Sequence, residues 1–185
     1  AGQSQILLQA GEQKTIELRL ELGTTITVGM MIEPSRPLRV LYEQSDLIVD
    51  ATIGNSVVVS VEGETKWMKT ALQINSQLKG ANTRRVIDWY HAVYDEDEAE
   101  FKVGDQVLFF LNRRKEEKVG YELSDYRLGS KKLSIAEMQS YTSHIRELAA
   151  LTSHRKATFD EIVEWLVQCA QDPATRWEGA SDLLE

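Results

Sequence analysis

The sequence predicts an α+β protein in which strands come first and helices follow. Three observations support this fold class. The chain begins with apolar residues at every second position, continues with short apolar runs between turns at roughly 10-residue spacing, and ends with helix-start motifs followed by helical spacing. These changes predict an N-terminal strand extension over residues 1–37, an all-β block over residues 38–133 and C-terminal helices over residues 134–185.

The N-terminal extension has the pattern of a hairpin. Its aliphatic residues alternate with Glu17, Arg19 and Glu21, and the alternation resumes after Gly23 over residues 26–30. Two runs of period two around a glycine predict paired strands, each with one buried and one solvated face. The aliphatic residues of the first run are Ile16, Leu18, Leu20 and Leu22, and the apolar patch before them is Ile6, Leu7 and Leu8.

Turn residues divide the central block into strands. Breaks are predicted at Gly54-Asn55, at Glu62-Gly63-Glu64 and at residues 79–82, and the acidic run Asp95–Glu100 is predicted to be a loop. Many short strands between turns are typical of a barrel or a sandwich. The predicted strands cover residues 46–53, 57–61, 67–78, 86–94 and 101–111, and a last one contains Tyr121 and Leu123.

Two capping boxes mark the helices of the last third. They are Ser134-Ile135-Ala136-Glu137 and Thr158-Phe159-Asp160-Glu161, and apolar residues at helical spacing follow each of them. A third helix is predicted to begin at Asp172-Pro173, because proline favours the first helical position. The residues predicted for its buried side are Trp177, Leu183 and Leu184.

Three segments of the central block form a family-like pattern. They are Ser45-Asp46-Leu47-Ile48-Val49, then Leu78-Lys79-Gly80, and finally Phe101–Asp105 with Leu108–Leu111. With these segments, residues 38–128 resemble bacterial secreted domains related to the netrin-like and tissue-inhibitor-of-metalloproteinase fold. The resemblance implies a five-stranded OB-like antiparallel β-barrel, with the glycines of the second and third segments at turns. The vertebrate family's N-terminal cysteine, which carries metalloproteinase inhibition, is absent, so that inhibitory function is not implied.

Charge and composition exclude several classes of protein. The 185 residues contain 21 basic and 29 acidic side chains, which gives a net charge of −8. The resulting pI of about 5.0 argues against nucleic-acid binding, which needs clustered Lys and Arg. No apolar stretch approaches the roughly 18 residues of a membrane span. With 42% hydrophobic and 27% charged residues, the chain has the composition of a globular protein.

The single cysteine and the N-terminal residues favour different compartments. Cys169 is the only cysteine, so no intrachain disulfide or cysteine-based zinc site can form, and a single cysteine weakly favours a reducing compartment. The start Ala1-Gly2-Gln3-Ser4, without methionine, is typical of a chain from which a signal peptide has been cut. We therefore expect a secreted bacterial protein, extracellular or on the cell surface; a shortened chain is the alternative.

Candidate catalytic residues are sparse. His91 is interpreted as a rim or core histidine, His144 and His154 as surface residues, and Cys169 as a buried thiol. Most of the four tryptophans are expected in the core. No nucleophile, phosphate-loop or zinc motif is present, so the sequence predicts neither an enzyme nor a cofactor. The run Asp95–Glu100 is expected to be a solvated loop, with a Ca²⁺ site as the alternative.

The strand extension suggests how the protein acts. A hairpin alone is marginal in water, so its apolar face needs a cover. The sequence predicts a non-enzymatic homo-oligomer whose N-terminal strand is donated to a neighbour, as in a filament subunit. The expected interface consists of Ile6, Leu7, Leu8, Ile16, Leu18, Leu20 and Leu22. The alternatives are a monomeric module that binds cell-surface proteins or glycans and, third, an enzyme.

Overall fold

Two compact units make up the chain, Ala1–Ser35 and Arg36–Glu185. A computed structural model describes residues 14–19, 25–30, 36–63, 65–94, 101–115, 120–153 and 157–183. In the first unit, β1 (Lys14–Arg19) pairs antiparallel with β2 (Thr25–Met30). Ile16 lies opposite Val28 and Leu18 opposite Ile26, so the predicted antiparallel pairing of the two runs is confirmed for these residues, while Gly23 and the predicted turn lie outside the described residues.

The second unit contains both strands and helices, which confirms the α+β class. In the described part of this unit, six strands come after helix α1, and three further helices follow the last strand. The elements are α1 (Leu38–Gln44), β3 (Leu47–Glu62), β4 (Thr65–Lys79), β5 (Val86–Tyr94), β6 (Gln106–Arg113), β7 (Gly120–Leu123), β8 (Ser130–Lys132), α2 (Ile135–Ser153), α3 (Phe159–Gln171) and α4 (Arg176–Leu183).

The six strands form one mixed sheet in the order β3-β4-β5-β7-β6-β8. All pairs are antiparallel except β5–β7, which is parallel, so the expectation of a purely antiparallel sheet was wrong. Strand β3 also pairs with β6, with Leu47 opposite Leu111 and Val49 opposite Phe109. Strands β3, β4, β5, β7 and β6 therefore form a ring, and β8 lies outside it.

The ring separates two hydrophobic clusters. Alternate residues of β3 point to opposite faces, so Val49 belongs to the cluster inside the ring and Ile48 to the cluster between the sheet and the helices. In β6, Phe109 and Phe110 divide in the same way. Because β3 and β6 are covered on both faces here, they read as continuous apolar runs rather than as alternating ones.

Several predicted boundaries are wrong. Gly54-Asn55 does not end a strand, because β3 continues through it with a register irregularity between Ile53 and Ser56. A side chain at Gly54 would approach the Ala71 carbonyl oxygen to 2.9 Å, so the glycine permits close strands rather than a turn. Residues 101–105 precede β6 instead of forming part of it.

Helix α1 was missed in the sequence. Its buried residues are Leu38, Leu41 and Tyr42, at helical i, i+3 and i+4 spacing, directly after Pro37. That spacing, after a proline that favours helix starts, was the available signal. The short length of the helix and the strand-rich sequence around it concealed the pattern.

Both capping boxes are confirmed. At the start of α2, the Glu137 backbone N–H donates to Ser134 Oγ at 3.3 Å, and the Ser134 N–H donates to Glu137 Oε2 at 2.8 Å. At the start of α3, the same two bonds join Thr158 and Glu161, at 3.3 and 2.9 Å. The reciprocal bonds satisfy backbone donors that the first turn of each helix leaves without partners.

Helix α4 differs from its prediction in both start and buried side. It begins at Arg176, three residues after Pro173, and Trp177 is exposed rather than buried. Leu183 is half-buried, and Leu184 lies outside the described residues. The buried side instead carries two carboxylates, Glu178 and Asp182. No helix of the described ranges is long and apolar enough to cross a membrane.

Ion pairs with other elements explain the buried carboxylates of α4. Arg39 of α1 donates to both Asp182 oxygens, at 2.8 and 2.7 Å. Lys131 of β8 donates to Glu178 Oε1 at 2.9 Å, and the Tyr141 hydroxyl donates to the same oxygen. Buried charges are tolerated when they are paired and hydrogen-bonded, so α4 is held to α1, α2 and β8 through polar contacts.

Candidate functional site

Three strands extend beyond the point where the ring closes. Strand β6 pairs with β3 only from Leu47 to Thr52, whereas β3 continues to Glu62 and remains paired with β4. The β4–β5 pairing likewise continues to Thr65 opposite Tyr94. We call the three-stranded extension formed by residues 54–62, 65–71 and 90–94 the arm.

The arm has an apolar and open outer edge. Four valines of β3 and Trp67 of β4 are exposed, the valines by 48–60%. Within the described part of the second unit, no strand pairs with β3 along its outer edge from Gly54 to Glu62. Proteins normally protect such edges with charges, proline or short strands, because unpaired N–H and C=O groups accept an added strand. The four valines are Val57, Val58, Val59 and Val61.

A bulge sets the geometry of this edge. Val58 lies opposite Met68 and Ser60 lies opposite Trp67, so Val59 is the additional residue on β3. A bulge increases local twist and leaves one residue without a partner in the ladder. Because Val57 and Val58 are consecutive residues of a strand, their side chains lie on opposite faces of the arm.

His91 lies at the base of the arm. Its ring stacks on Trp89 with 3.9 Å between centroids, and its Nε2 is 2.9 Å from Thr70 Oγ1. The Thr70 hydroxyl in turn hydrogen-bonds Ser56 at 2.7 Å, so a polar row crosses all three strands. Burial lowers the pKa of His91 to about 4, which makes the imidazole neutral at pH 7. The row holds the strands together beside the exposed valines, in agreement with a rim or core histidine.

The predicted interface residues fall mostly outside the described ranges. Ile6, Leu7, Leu8, Leu20 and Leu22 lie outside the described residues. Ile16 and Leu18 lie in β1, two positions apart, and therefore on one face of that strand.

The histidines of the helical region require one correction. His144 is 7% exposed, so its interpretation as a surface residue was wrong. Its Nε2 is 3.3 Å from Asp172 Oδ2, its Nδ1 is 3.5 Å from Glu147 Oε2, and its carbonyl accepts from the Trp165 indole. The helical face that carries Tyr141 and Leu148 also carries His144, and α3 covers it. His154 lies outside the described residues.

Cys169 and two of the four tryptophans pack in the hydrophobic core. Cys169 is fully buried, as predicted, and burial raises the pKa of its thiol to about 12. Trp89 and Trp165 are buried, whereas Trp67 and Trp177 are exposed, so half rather than most of the tryptophans lie in the core.

The run Asp95–Glu100 lies outside the described residues. Among the residues that are described, no three His, Cys, Asp or Glu side chains are grouped to hold a metal ion.

No protein-family model and no curated protein matches this chain. The arm was visible in the sequence only as the run Val57–Val61. The sequence predicts that run as a separate strand, whereas in the structure it is the outer part of β3.

Proposed function

We propose that this protein is a non-enzymatic, self-assembling structural or interaction subunit. In the assembly, the N-terminal strand region of one copy pairs with the arm of the next, and an OB-like barrel serves as the scaffold. The open apolar edge of β3 from Gly54 to Glu62 is the observation that carries this proposal.

The strand ring supports the OB-like scaffold. A ring of five strands, joined by the additional β3–β6 pair, is compatible with a five-stranded OB-like barrel. The family-like segments also lie at related places. Leu47 and Val49 of the first segment pair with Leu111 and Phe109 of the third. Gly80 of the second segment approaches the first, since a Cβ there would lie 2.3 Å from the Asp46 carbonyl oxygen.

Backbone pairing and side-chain burial act together in this proposal. Complete burial of a valine contributes roughly 1.5–3 kcal/mol, so half-exposed valines contribute about half of that each. Association costs an estimated 4–15 kcal/mol in lost freedom, so the valines alone do not hold two copies together. The added strand must therefore contribute its own apolar face, and the alternating residues of the N-terminal extension provide one.

The donated strand also determines the kind of assembly. The donor is residues near the N-terminus and the acceptor is the arm, so the contact uses two different surfaces. Such heterologous contacts generate a closed ring if the rotation closes and a filament if it does not. We therefore expect larger species in steps of one subunit rather than a single symmetric dimer.

One substitution at the acceptor edge tests the proposal. Val57→Lys places a charge on the edge, which disfavours strand addition. Val86→Lys is the matched control, because Val86 is on β5 outside the arm and is 52% exposed, against 51% for Val57. Sedimentation velocity over a concentration series should show assemblies for the parent chain and for Val86→Lys, but monomer for Val57→Lys.

The donor side is tested by deletion of Ala1–Ala10. The shortened chain should keep its circular-dichroism spectrum and lose its larger species. A parent chain that remains monomeric at high concentration contradicts the proposal and favours a monomeric binding module. Equal assembly by both lysine variants contradicts the assignment to the arm.

A further inference from the structure

A cleft of about 630 Å³ lies between α2 and strands β3, β4 and β6. Its helical wall follows one face of α2 from Ile135 to Ala150, at i, i+3, i+4 and i+7 spacing. With a rise of about 1.5 Å per residue, that wall is roughly 22 Å long. The cleft and the arm have no residue in common.

Asp50 forms part of the strand wall of the cleft. It is 8% exposed, and it follows Ile48 on the outer face of β3, the face that the helices cover. Ser76 of β4 lies directly opposite it in the ladder and lines the same cleft. A carboxylate that is this deeply buried is costly unless something compensates its charge.

Two amide side chains orient the Asp50 carboxylate. Asn75 Nδ2 donates to Oδ1 at 3.1 Å, and Gln106 Nε2 donates to both oxygens at 2.9 Å. Asn75 also exchanges hydrogen bonds with Thr52, which fixes its own orientation. A carboxylate has about four acceptor positions, two on each oxygen. Oδ1 thus has two donors and Oδ2 has one, which leaves a position on Oδ2 without a donor from the described residues.

The amides satisfy hydrogen bonds but supply no positive charge. None of the ion pairs between described residues includes Asp50, although Arg146 lines the same cleft. The other buried carboxylates behave differently, because Asp182 has Arg39 and Glu178 has Lys131. Asp50 is therefore a positioned, buried carboxylate that lacks a cation from the described residues and borders open space.

We propose that this cleft binds a primary alkylammonium group through Asp50. The ammonium N–H donates to the remaining position on Oδ2, and the alkyl chain packs on Met138 and Ile135 of the helical wall. A single donor suits the one remaining position. A guanidinium group prefers both oxygens at once, and Asn75 and Gln106 already occupy Oδ1. The cleft should therefore prefer ammonium to guanidinium.

The probes are n-hexylammonium, n-hexylguanidinium and the neutral n-hexanol, each titrated into the full chain at pH 7. Amide chemical shifts measured by NMR should change along β3 and α2, with a dissociation constant for hexylammonium at least tenfold below those of the other two. Asp50→Asn should weaken hexylammonium binding at least tenfold and leave hexanol unchanged. Glu122→Gln is the matched control, because Glu122 is an exposed carboxylate on β7, outside the cleft.

A second variant covers the case in which Asp50→Asn does not fold. Ser76→Phe retains the carboxylate and fills the space beside it, since facing residues of a ladder have Cβ atoms about 5 Å apart. It should weaken hexylammonium and hexanol alike. Equal affinity for hexylammonium and hexanol, or unchanged hexylammonium binding in Asp50→Asn or Ser76→Phe, overturns the proposal. Absence of any shift at millimolar hexylammonium overturns it as well.

Discussion

At the residue scale, Gly80 and Gly104 share a conformation but not an environment. Their φ angles are 89° and 93°, in a region that other residues rarely adopt. A Cβ at Gly80 would lie 2.3 Å from the Asp46 carbonyl oxygen, whereas one at Gly104 meets nothing within 4 Å. A side chain at Gly104 would therefore cause backbone strain alone, whereas one at Gly80 would cause both backbone strain and a steric clash.

Alanine at each glycine tests this difference. Gly104→Ala should lower the free energy of unfolding by roughly 1–2 kcal/mol, the cost of the backbone conformation alone. Gly80→Ala should cost more than about 3 kcal/mol, because β4 must also move away from the start of β3. Urea unfolding measures both values. Equal losses would contradict the close approach at Gly80.

The second residue-scale prediction concerns His91. Burial lowers its pKa from 6.5 to about 4, so the folded state favours the neutral ring. Its contribution to stability is complete above pH 6.5 and is lost as the pH falls towards 4. The effect should be about 1–2 kcal/mol, because solvent reaches part of the ring and reduces it.

The variant His91→Phe retains an aromatic ring beside Trp89 and removes the titrating group. Unfolding free energies at pH 7.5, 6, 5 and 4.5 should fall more steeply for the parent chain than for the variant. If the two curves run parallel between pH 6.5 and pH 4.5, His91 does not titrate as inferred.

Single residues also differ in whether their burial could be predicted from the sequence. Burial of Cys169 was predictable, because apolar residues surround it at helical spacing. Burial of the α4 carboxylates was not, because their cationic partners are distant in the chain. His144 lies on the same helical face as Tyr141 and Leu148, so its burial had a local signal that the prediction from the sequence did not use. Arg39 and Asp182 are 143 residues apart, and no local pattern indicates such a pair.

At the element scale, local signals were the reliable ones. Hairpin spacing, glycine turns and capping boxes act over a few residues, and the sequence therefore located β1, β2, β4, β5, α2 and α3. The parallel β5–β7 pair and the ring depend on which strands meet, which no local spacing encodes. The cleft likewise depends on distant elements, since β3, β4, β6 and α2 line it. The arm consists of consecutive strands, but its open edge depends on where the distant strand β6 stops pairing with β3.

The capping boxes support one prediction at this scale. Ser134→Ala and Thr158→Ala should each lower the free energy of unfolding by about 1 kcal/mol, because each removes an acceptor for a backbone N–H in the first turn. Ser153→Ala, at the other end of α2, removes a hydroxyl that donates to the Ala150 carbonyl oxygen, and should cost less than about 0.5 kcal/mol. Equal effects at all three sites in thermal or urea unfolding would contradict the cap geometry.

The ion pair between Lys131 and Glu178 supports a second prediction at the element scale. Lys131→Met leaves Glu178 buried without its cation and should cost roughly 3 kcal/mol. Lys132→Met is the neighbouring control, because Lys132 pairs with Asp105 at the surface and should cost less than about 1 kcal/mol. Chemical denaturation of the two variants compares them directly. A larger loss for Lys132→Met would mean that the Glu178 pair does not hold α4.

At the scale of the whole molecule, the two units differ in how their apolar residues are covered. Among the side chains that the structure describes, the members of both hydrophobic clusters lie between Leu38 and Leu183, so the second unit contains hydrophobic cores. The first unit contains a two-stranded hairpin, and a hairpin without further cover is marginally stable in water. In the proposed assembly the hairpin region gains its cover from the arm of another copy.

Deletion of residues 1–35 therefore should not unfold the second unit. We expect a cooperative thermal transition by circular dichroism within a few degrees of that of the parent chain, since the cores that determine it are intact. Sedimentation should show monomer at concentrations where the parent chain assembles. The full-length Val57→Lys variant should match the truncated chain in sedimentation, because one lacks the acceptor edge and the other the donor. A truncated chain without a cooperative transition would mean that the hairpin covers its own second unit, and it would contradict assembly by strand donation.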